Sequence, residues 1–327
     1  MSATSGGAGQ VVVFGSLNAD LTVRVERFPQ PGETLSGSEL VTAPGGKSSN
    51  QAVAAATLGA QVRLIGAVGD DANGAFLLDQ VSHSGVDVAG VMRDPDHATG
   101  SAMIVVDAAG ENTIIVSPGA NGAVSDDSLT AQKFAGADIV CLCLEVPLAA
   151  VQAAAEKGRE AGAQVLLNLS PYADVPDALL SHVDVLLVNK SEAELVLSRS
   201  DIADDWDGAL DGFVALGVHR VVVTLGADGA VVLDGTASSS DGTASSSDGT
   251  TSQNGDNDAG QVTTIDSPKV NVVDTTGCGD AFTGALAHGM AKGASLVEAS
   301  KHAAEAGALA ATREGAQSSY QAFAHLS

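Results

Sequence analysis

Apolar and polar positions follow two regimes along the chain. Beyond about residue 120, short β-branched runs alternate with stretches rich in Ala, Leu and Glu. There the pattern predicts strands over 139–143, 164–168, 183–188, 221–224 and 230–233, with helices over 148–161, 192–197 and 207–216. Before residue 120 it predicts buried strands over 11–15 and 62–65, and helices over 50–58 and 75–84. It also predicts a hairpin of 101–106 with 113–116, joined by a loop containing Gly110. Near the C-terminus a strand-like run over 270–273 precedes an Ala-rich helix over 281–290. Strands alternating with helices predict an α/β fold with a doubly wound, mostly parallel sheet flanked by helices. Right-handed crossovers then gather the loops at one edge of the sheet, where ligands collect.

One segment breaks the pattern. Residues 235–261 are almost entirely Ser, Gly, Asp, Thr and Asn, with Asp-Gly-Thr recurring at Asp241 and Asp248. Such a low-complexity insertion cannot bury enough surface to offset its ordering entropy, so a disordered surface loop between two strands is expected. Residues 1–10 are small and polar, without the charged start and apolar run of a signal peptide, and are also expected to be disordered.

Charge narrows the function. The 327 residues hold 15 Lys+Arg against 40 Asp+Glu, a formal net charge of −25. A surface this negative repels phosphate backbones and anionic lipid heads, which argues against nucleic-acid and membrane partners. An anionic nucleotide is still admissible, because a local site can override the global field. The three cysteines, Cys141, Cys143 and Cys278, fit neither a disulfide framework nor zinc spacing. Cys141 and Cys143 read as residues of a buried strand, and the protein as cytoplasmic. The seven histidines show no metal spacing, and His302 alone is kept as a candidate near a nucleotide. Gly66 to Gly74 reads as a turn and a helix start.

Three motifs carry candidate chemistry. Asp274-Thr-Thr-Gly277-Cys278-Gly279-Asp280 joins the 270–273 run to the helix that follows. Glycines before a helix leave its first N–H groups free to bind an anion. Asp280 is then either a capping carboxylate or a base that accepts a hydroxyl proton beside the bound anion, and the two roles are compatible. Pro44-Gly45-Gly46-Lys47 lacks Walker A spacing and, taken alone, reads as a turn. Asn18 and Asp20, two apart in an extended segment, point to one side and could grip vicinal hydroxyls, or else simply form a turn.

In this order the three motifs resemble the ribokinase-like, or phosphofructokinase-B type, sugar kinase family. The resemblance runs from Val11 to Ser319, interrupted by the 235–261 insertion. Pro31-Gly-Glu-Thr34, Ser117-Pro-Gly-Ala-Asn121, Leu144-Glu145-Val-Pro147 and Thr312-Arg-Glu-Gly-Ala-Gln317 add to it. The resemblance implies ATP-dependent phosphorylation of a sugar at its terminal primary hydroxyl, with free ribose the expected acceptor. Fructose, deoxyribose or a nucleoside are alternative acceptors, and a non-catalytic sugar-binding relative is a further alternative.

The same resemblance implies roles for individual residues. Asn18, Asp20, Gly46, Lys47, Asn50 and Glu145 would hold the sugar, with Asp280 as catalytic base and Gly277, Cys278 and Gly279 as anion hole. Asn189, Thr224, Gly226, Gly229 and Gly279 would hold ATP, and Glu192 would hold Mg2+ through water. Asp274, Thr276, Ala310, Arg313, Gly315 and Ser319 would bind an activating K+ ion, largely through carbonyls. A β-sheet lid from about 20–45 and 100–117 would cover the sugar and form a homodimer contact. Cys278 in place of a common Ala, Ser48-Ser49 in place of Gly-Ala, and Ala304 where Asn often lies near the adenine are departures from the family pattern.

Overall fold

The computed structural model describes residues 9–236 and 260–326. The expected disorder at the N-terminus and in the insertion falls mainly outside these residues. Both expected boundaries need correction, because Gln10 and Gln261 each open a strand.

The strands are β1 (Gln10–Phe14), β2 (Asn18–Arg24), β3 (Val41–Gly45), β4 (Gln61–Gly69), β5 (Val86–Asp94), β6 (Ser101–Val106), β7 (Asn112–Ser117), β8 (Ile139–Leu142), β9 (Gln164–Asn168), β10 (Val185–Asn189), β11 (Arg220–Thr224), β12 (Ala230–Asp234) and β13 (Gln261–Ile265). The helices are α1 (Lys47–Thr57), α2 (Ala72–His83), α3 (Ala131–Phe134), α4 (Leu148–Glu160), α5 (Asp177–Leu180), α6 (Lys190–Leu197), α7 (Trp206–Ala215), α8 (Cys278–Ala291) and α9 (Leu296–Ala310).

Nine strands form the main sheet in the order β13-β12-β11-β10-β9-β8-β1-β4-β5. It is parallel from β5 to β11, and antiparallel where β12 and β13 extend it. Because successive side chains point to opposite faces, Val11 and Val13 join one core while Val12 and Phe14 join the other. Helices α1, α2, α8 and α9 cover the first face, and α3 to α7 the second. Burial on both faces accounts for the unbroken apolar runs of β8 to β12.

A second sheet, ordered β3-β2-β6-β7, rises from the end of β1 through Gly15 to Leu17. It is antiparallel except for the parallel β2–β6 pair. Leu40, Val41, Met103, Ile114, Ile115 and Val116 on this sheet are 47–59% exposed.

The expected strand over 270–273 is irregular chain. Val272 and Val273 are each 55% exposed, and the only backbone tie among the described residues is from the Val273 N–H to the Ala311 carbonyl, 2.8 Å away. This β-branched run joins neither sheet. Gly66 and Gly69 lie inside β4 rather than in a turn. A Cβ on Gly66 would overlap the Gly15 carbonyl, so this glycine serves strand packing. Among the described residues no helix is long and apolar enough to cross a membrane.

Candidate functional site

The C-terminal ends of β1, β8, β10 and β11 and the N-termini of α1, α6 and α8 meet beneath the small sheet. The Gly45–Gly46 pair ends β3 and caps α1, so the expected turn is also a helix start. Gly46 has φ 90 and lacks a side-chain cap, and a Cβ there would fall 2.8 Å from the Asn18 nitrogen. Its orphan donors are served from elsewhere in the fold. Lys47 N–H donates to Glu145 Oε2 at 2.9 Å, and the Ser16 hydroxyl donates to the same oxygen at 2.6 Å. Burial disfavours the charge on Lys47, but Asp280, Glu145, Cys143 and Glu192 outweigh it and hold the ammonium more basic than usual.

Asp280 is the third residue of α8 and is 7% exposed. Its Oδ2 accepts from Asn50 Nδ2 at 2.9 Å and its Oδ1 from Gln51 Nε2 at 3.1 Å. Burial pushes the carboxyl above its ordinary range, against Lys47 and the two amides. The helix is capped by Gly277 at φ 73, and its first internal bond runs from Ala281 N–H to the Gly277 carbonyl at 2.8 Å. Cys278 N–H turns back to the Thr275 carbonyl at 3.2 Å. Gly277, Gly279 and Asp280 have backbone N–H groups without an acceptor among the described residues.

Asn18 and Asp20 lie in β2 on one face of the small sheet. Asn18 Oδ1 accepts from Asn121 Nδ2 at 2.8 Å. A Cβ on Gly45 would overlap the Asp20 carboxylate, so glycine makes room for it. Burial, then Glu145 and Asp280, raise the Asp20 pKa from its ordinary 3.8 to about 7. Folded Asp20 thus holds its proton more tightly than unfolded Asp20. Its contribution to stability is full below about pH 4 and is lost as pH rises through about 7. Asp20→Asn is expected to match the parent in thermal denaturation below about pH 4 and to exceed it at about pH 8. A variant no more stable than the parent at the higher pH would contradict this account.

Asn189 and Thr224 are register partners at the ends of β10 and β11. Asn189 and Glu192 form a capping box at the start of α6, in which Glu192 Oε2 accepts from Asn189 N–H at 2.8 Å. Glu192 Oε1 has no hydrogen-bond partner among the described residues. Gly226 and Gly229 bracket the turn after β11 with φ values of 62 and 93, conformations that favour glycine.

Asp274 ties two loops together. Its Oδ1 accepts from Thr276 N–H and Oγ1 at 2.9 and 2.7 Å, and its Oδ2 from Gly315 N–H at 2.8 Å. Burial opposes the Asp274 charge, but these donors win and hold its pKa low. Arg313 N–H bonds the Ala310 carbonyl at 3.3 Å, and buried Ser319 donates to the Ala316 carbonyl at 2.7 Å. One carboxylate, hydroxyls and carbonyls are the hard oxygen donors that an alkali cation takes.

Ala304 is 5% exposed and packs in the core, while His302 is exposed on α9 beside His288. A cavity of about 510 Å3 lined by Phe14, Arg63, Ile65 and Lys133 lies toward the other face of β1 and contains none of the residues above. Motif reading missed Ser16, Gln51, Asn121 and Gln317 as parts of the site. Gln317 Nε2 donates to Ser49 Oγ at 2.9 Å and to Asn50 Oδ1 at 3.0 Å, fixing the amide that faces Asp280. The signal that could have found Gln51 is a polar amide opening an otherwise small, apolar stretch, Ala52 to Ala56, since buried polar groups need partners.

The sequence profile described as pfkB family carbohydrate kinase matches residues 8–322. A ribokinase of Schizosaccharomyces pombe is 34% identical over 321 residues, covering 94% of each chain. A deoxyribokinase of Salmonella typhi is 30% identical over 314 residues, covering 95% of each. A solved structure of Arabidopsis thaliana ribokinase complexed with ribose and ATP superposes with a TM-score of 0.83 at 29% identity, covering 98% of this chain and 99% of that one.

Proposed function

The chain belongs to the pfkB family of carbohydrate kinases, and we propose that it transfers the γ-phosphoryl group of ATP to the terminal primary hydroxyl of D-ribose, giving ribose 5-phosphate. It is a phosphotransferase acting on a sugar hydroxyl. One observation carries the reading: a buried carboxylate, Asp280, stands within the first turn of α8, beside N–H groups of Gly279 and Asp280 that have no acceptor among the described residues.

Asp280 takes the hydroxyl proton as the sugar oxygen attacks phosphorus. The N–H groups at the start of α8 hold the phosphoryl oxygens, and the helix dipole favours their charge. Asn18, Asp20, Gly46, Lys47, Asn50 and Glu145 orient the sugar so that one hydroxyl meets Asp280. Asn189, Thr224, Gly226 and Gly229 cradle the nucleotide. Glu192 is placed to hold Mg2+ through water, and the bound ion supplies charge neutralisation for the phosphates. Asp274, Thr276, Ala310, Arg313, Gly315 and Ser319 would hold K+, whose charge would steady the loops flanking the anion site. The small sheet, as lid, excludes water that would otherwise take the phosphoryl group. The three free cysteines fit a reducing, cytoplasmic setting.

A coupled ADP-release assay over ribose, deoxyribose, fructose and nucleosides, with and without potassium, tests the substrate. Ribose is expected to give the highest kcat/KM, and potassium to raise turnover. Preference for any other acceptor would overturn the ribose assignment. Deoxyribose is the sharpest competitor, given the Salmonella relative.

The exposed apolar residues of the lid are the proposed homodimer contact. Light scattering should find a dimer for the parent and a monomer for Ile115→Asp, whose parent side chain is 59% exposed. A monomeric parent would remove this assignment.

A further inference from the structure

The Asp280 carboxylate is gripped from two sides, and only one of them belongs to the sugar site. Asn50 reaches Oδ2 and is itself held by Gln317. Gln51 reaches Oδ1 from the interior and is 0% exposed. The other end of Gln51 is fixed as well, since its Oε1 lies 3.4 Å from Cys141 Sγ on β8. Cys141 is fully buried, and burial, Cys143 and Asp280 keep its thiol protonated. A thiol that keeps its proton donates it, so it selects the carbonyl end of Gln51 and turns the amide nitrogen toward Asp280.

We propose that Gln51, oriented by Cys141, is a positioning residue that anchors Asp280 Oδ1 and leaves Oδ2 to take the proton of the acceptor hydroxyl. The proposal rests on Asp280 being the base. Oδ2 keeps a second lone-pair site beside the Asn50 bond, on the carboxylate edge held by a residue of the proposed sugar site. Gln51 is the second amide donor to the carboxylate, and it also lowers the basicity that burial raises.

The charged and titratable groups facing Asp280 are Lys47 on α1, Asp20 on β2, Cys141 on β8, Glu145 after β8, Cys278 on α8 and Tyr320. Gln51→Met keeps all of them and nearly the same volume, while removing the amide donor. The Asp280 proton is then held more tightly, so the base is silenced at higher pH. The acid limb of kcat/KM against pH is expected to move up by about one unit, with sugar KM unchanged. Cys141→Ser keeps a donor and should retain the parent limb. Cys141→Ala frees the amide to rotate and should shift the limb in the same direction as Gln51→Met.

Superimposable acid limbs for Gln51→Met and the parent would overturn the proposal, even if the variant melts at lower temperature. Should Gln51→Met not fold, the comparison of Cys141→Ala with Cys141→Ser carries the test, and identical limbs there overturn it equally. Asp280→Asn separates the two ideas. Retained turnover in that variant sinks the base itself, whereas an inactive variant with unmoved Gln51 limbs sinks only the positioning role.

Discussion

Asp280→Asn is expected to bind ribose as the parent does and to turn over about 10²–10⁴-fold more slowly. The change is isosteric, so Lys47, Glu145 and Asp20 keep their places, and the sugar keeps its contacts with them. What goes is the lone pair that accepts the proton. The new amide also meets two donors, Asn50 Nδ2 and Gln51 Nε2, with a single acceptor oxygen. One hydrogen bond is therefore lost wherever the amide settles. The fold should tolerate this, because the variant also removes a carboxylate whose charge is disfavoured by burial. Sugar affinity by calorimetry, set beside turnover in the ADP-release assay, separates binding from chemistry. Turnover equal to the parent's would show that another group takes the proton.

Legibility in the sequence followed local physics. The strands of the second regime were readable because both faces of β8 to β12 are buried, which forces continuous β-branched and Leu-rich runs. The edge strand β5 was missed, because Val86-Asp-Val-Ala-Gly-Val-Met-Arg-Asp94 is mixed in both composition and burial. β3 was hidden by Pro44 and Gly45, residues that ordinarily argue against a strand. The run at 270–273 failed in the opposite sense, since β propensity without a neighbouring strand makes no sheet.

The site was legible where backbone geometry demands a residue type. Gly46 and Gly277 need positive φ, and Asp280 follows a glycine-capped helix start. What escaped was long-range. Glu145 caps α1 across 98 residues, and Gln51 meets Asp280 across 229. Spacing along the chain holds no record of such pairs. The turn from Cys278 N–H to the Thr275 carbonyl is likewise a detail of backbone path.

Gly277 and Gly279 are expected to separate fold from chemistry when each is changed to Ala. Gly277 has φ 73, and a Cβ there would lie 2.6 Å from Ala316 Cβ, 2.8 Å from Ala316 Cα and 2.9 Å from Tyr320 Oη. The left-handed backbone costs a β-carbon about 1–2 kcal/mol, and overpacking adds about 1–3 kcal/mol. Gly277→Ala should therefore lose stability and activity together. Gly279 differs, since among the described residues nothing beyond its chain neighbours and its own helix backbone lies within 4 Å of an added Cβ. Ala is also the better helix former by about 1 kcal/mol, so Gly279→Ala should melt at or above the parent temperature. If the Gly279 N–H receives the phosphoryl group, an added methyl stands where the nucleotide must approach. A fall in kcat of about 10²–10³-fold is then expected, the scale of losing one donor to a developing charge. Gly279→Ala with parental kinetics would show that the phosphates do not pass there. Loss of activity at undiminished melting temperature would locate the anion at the first turn of α8.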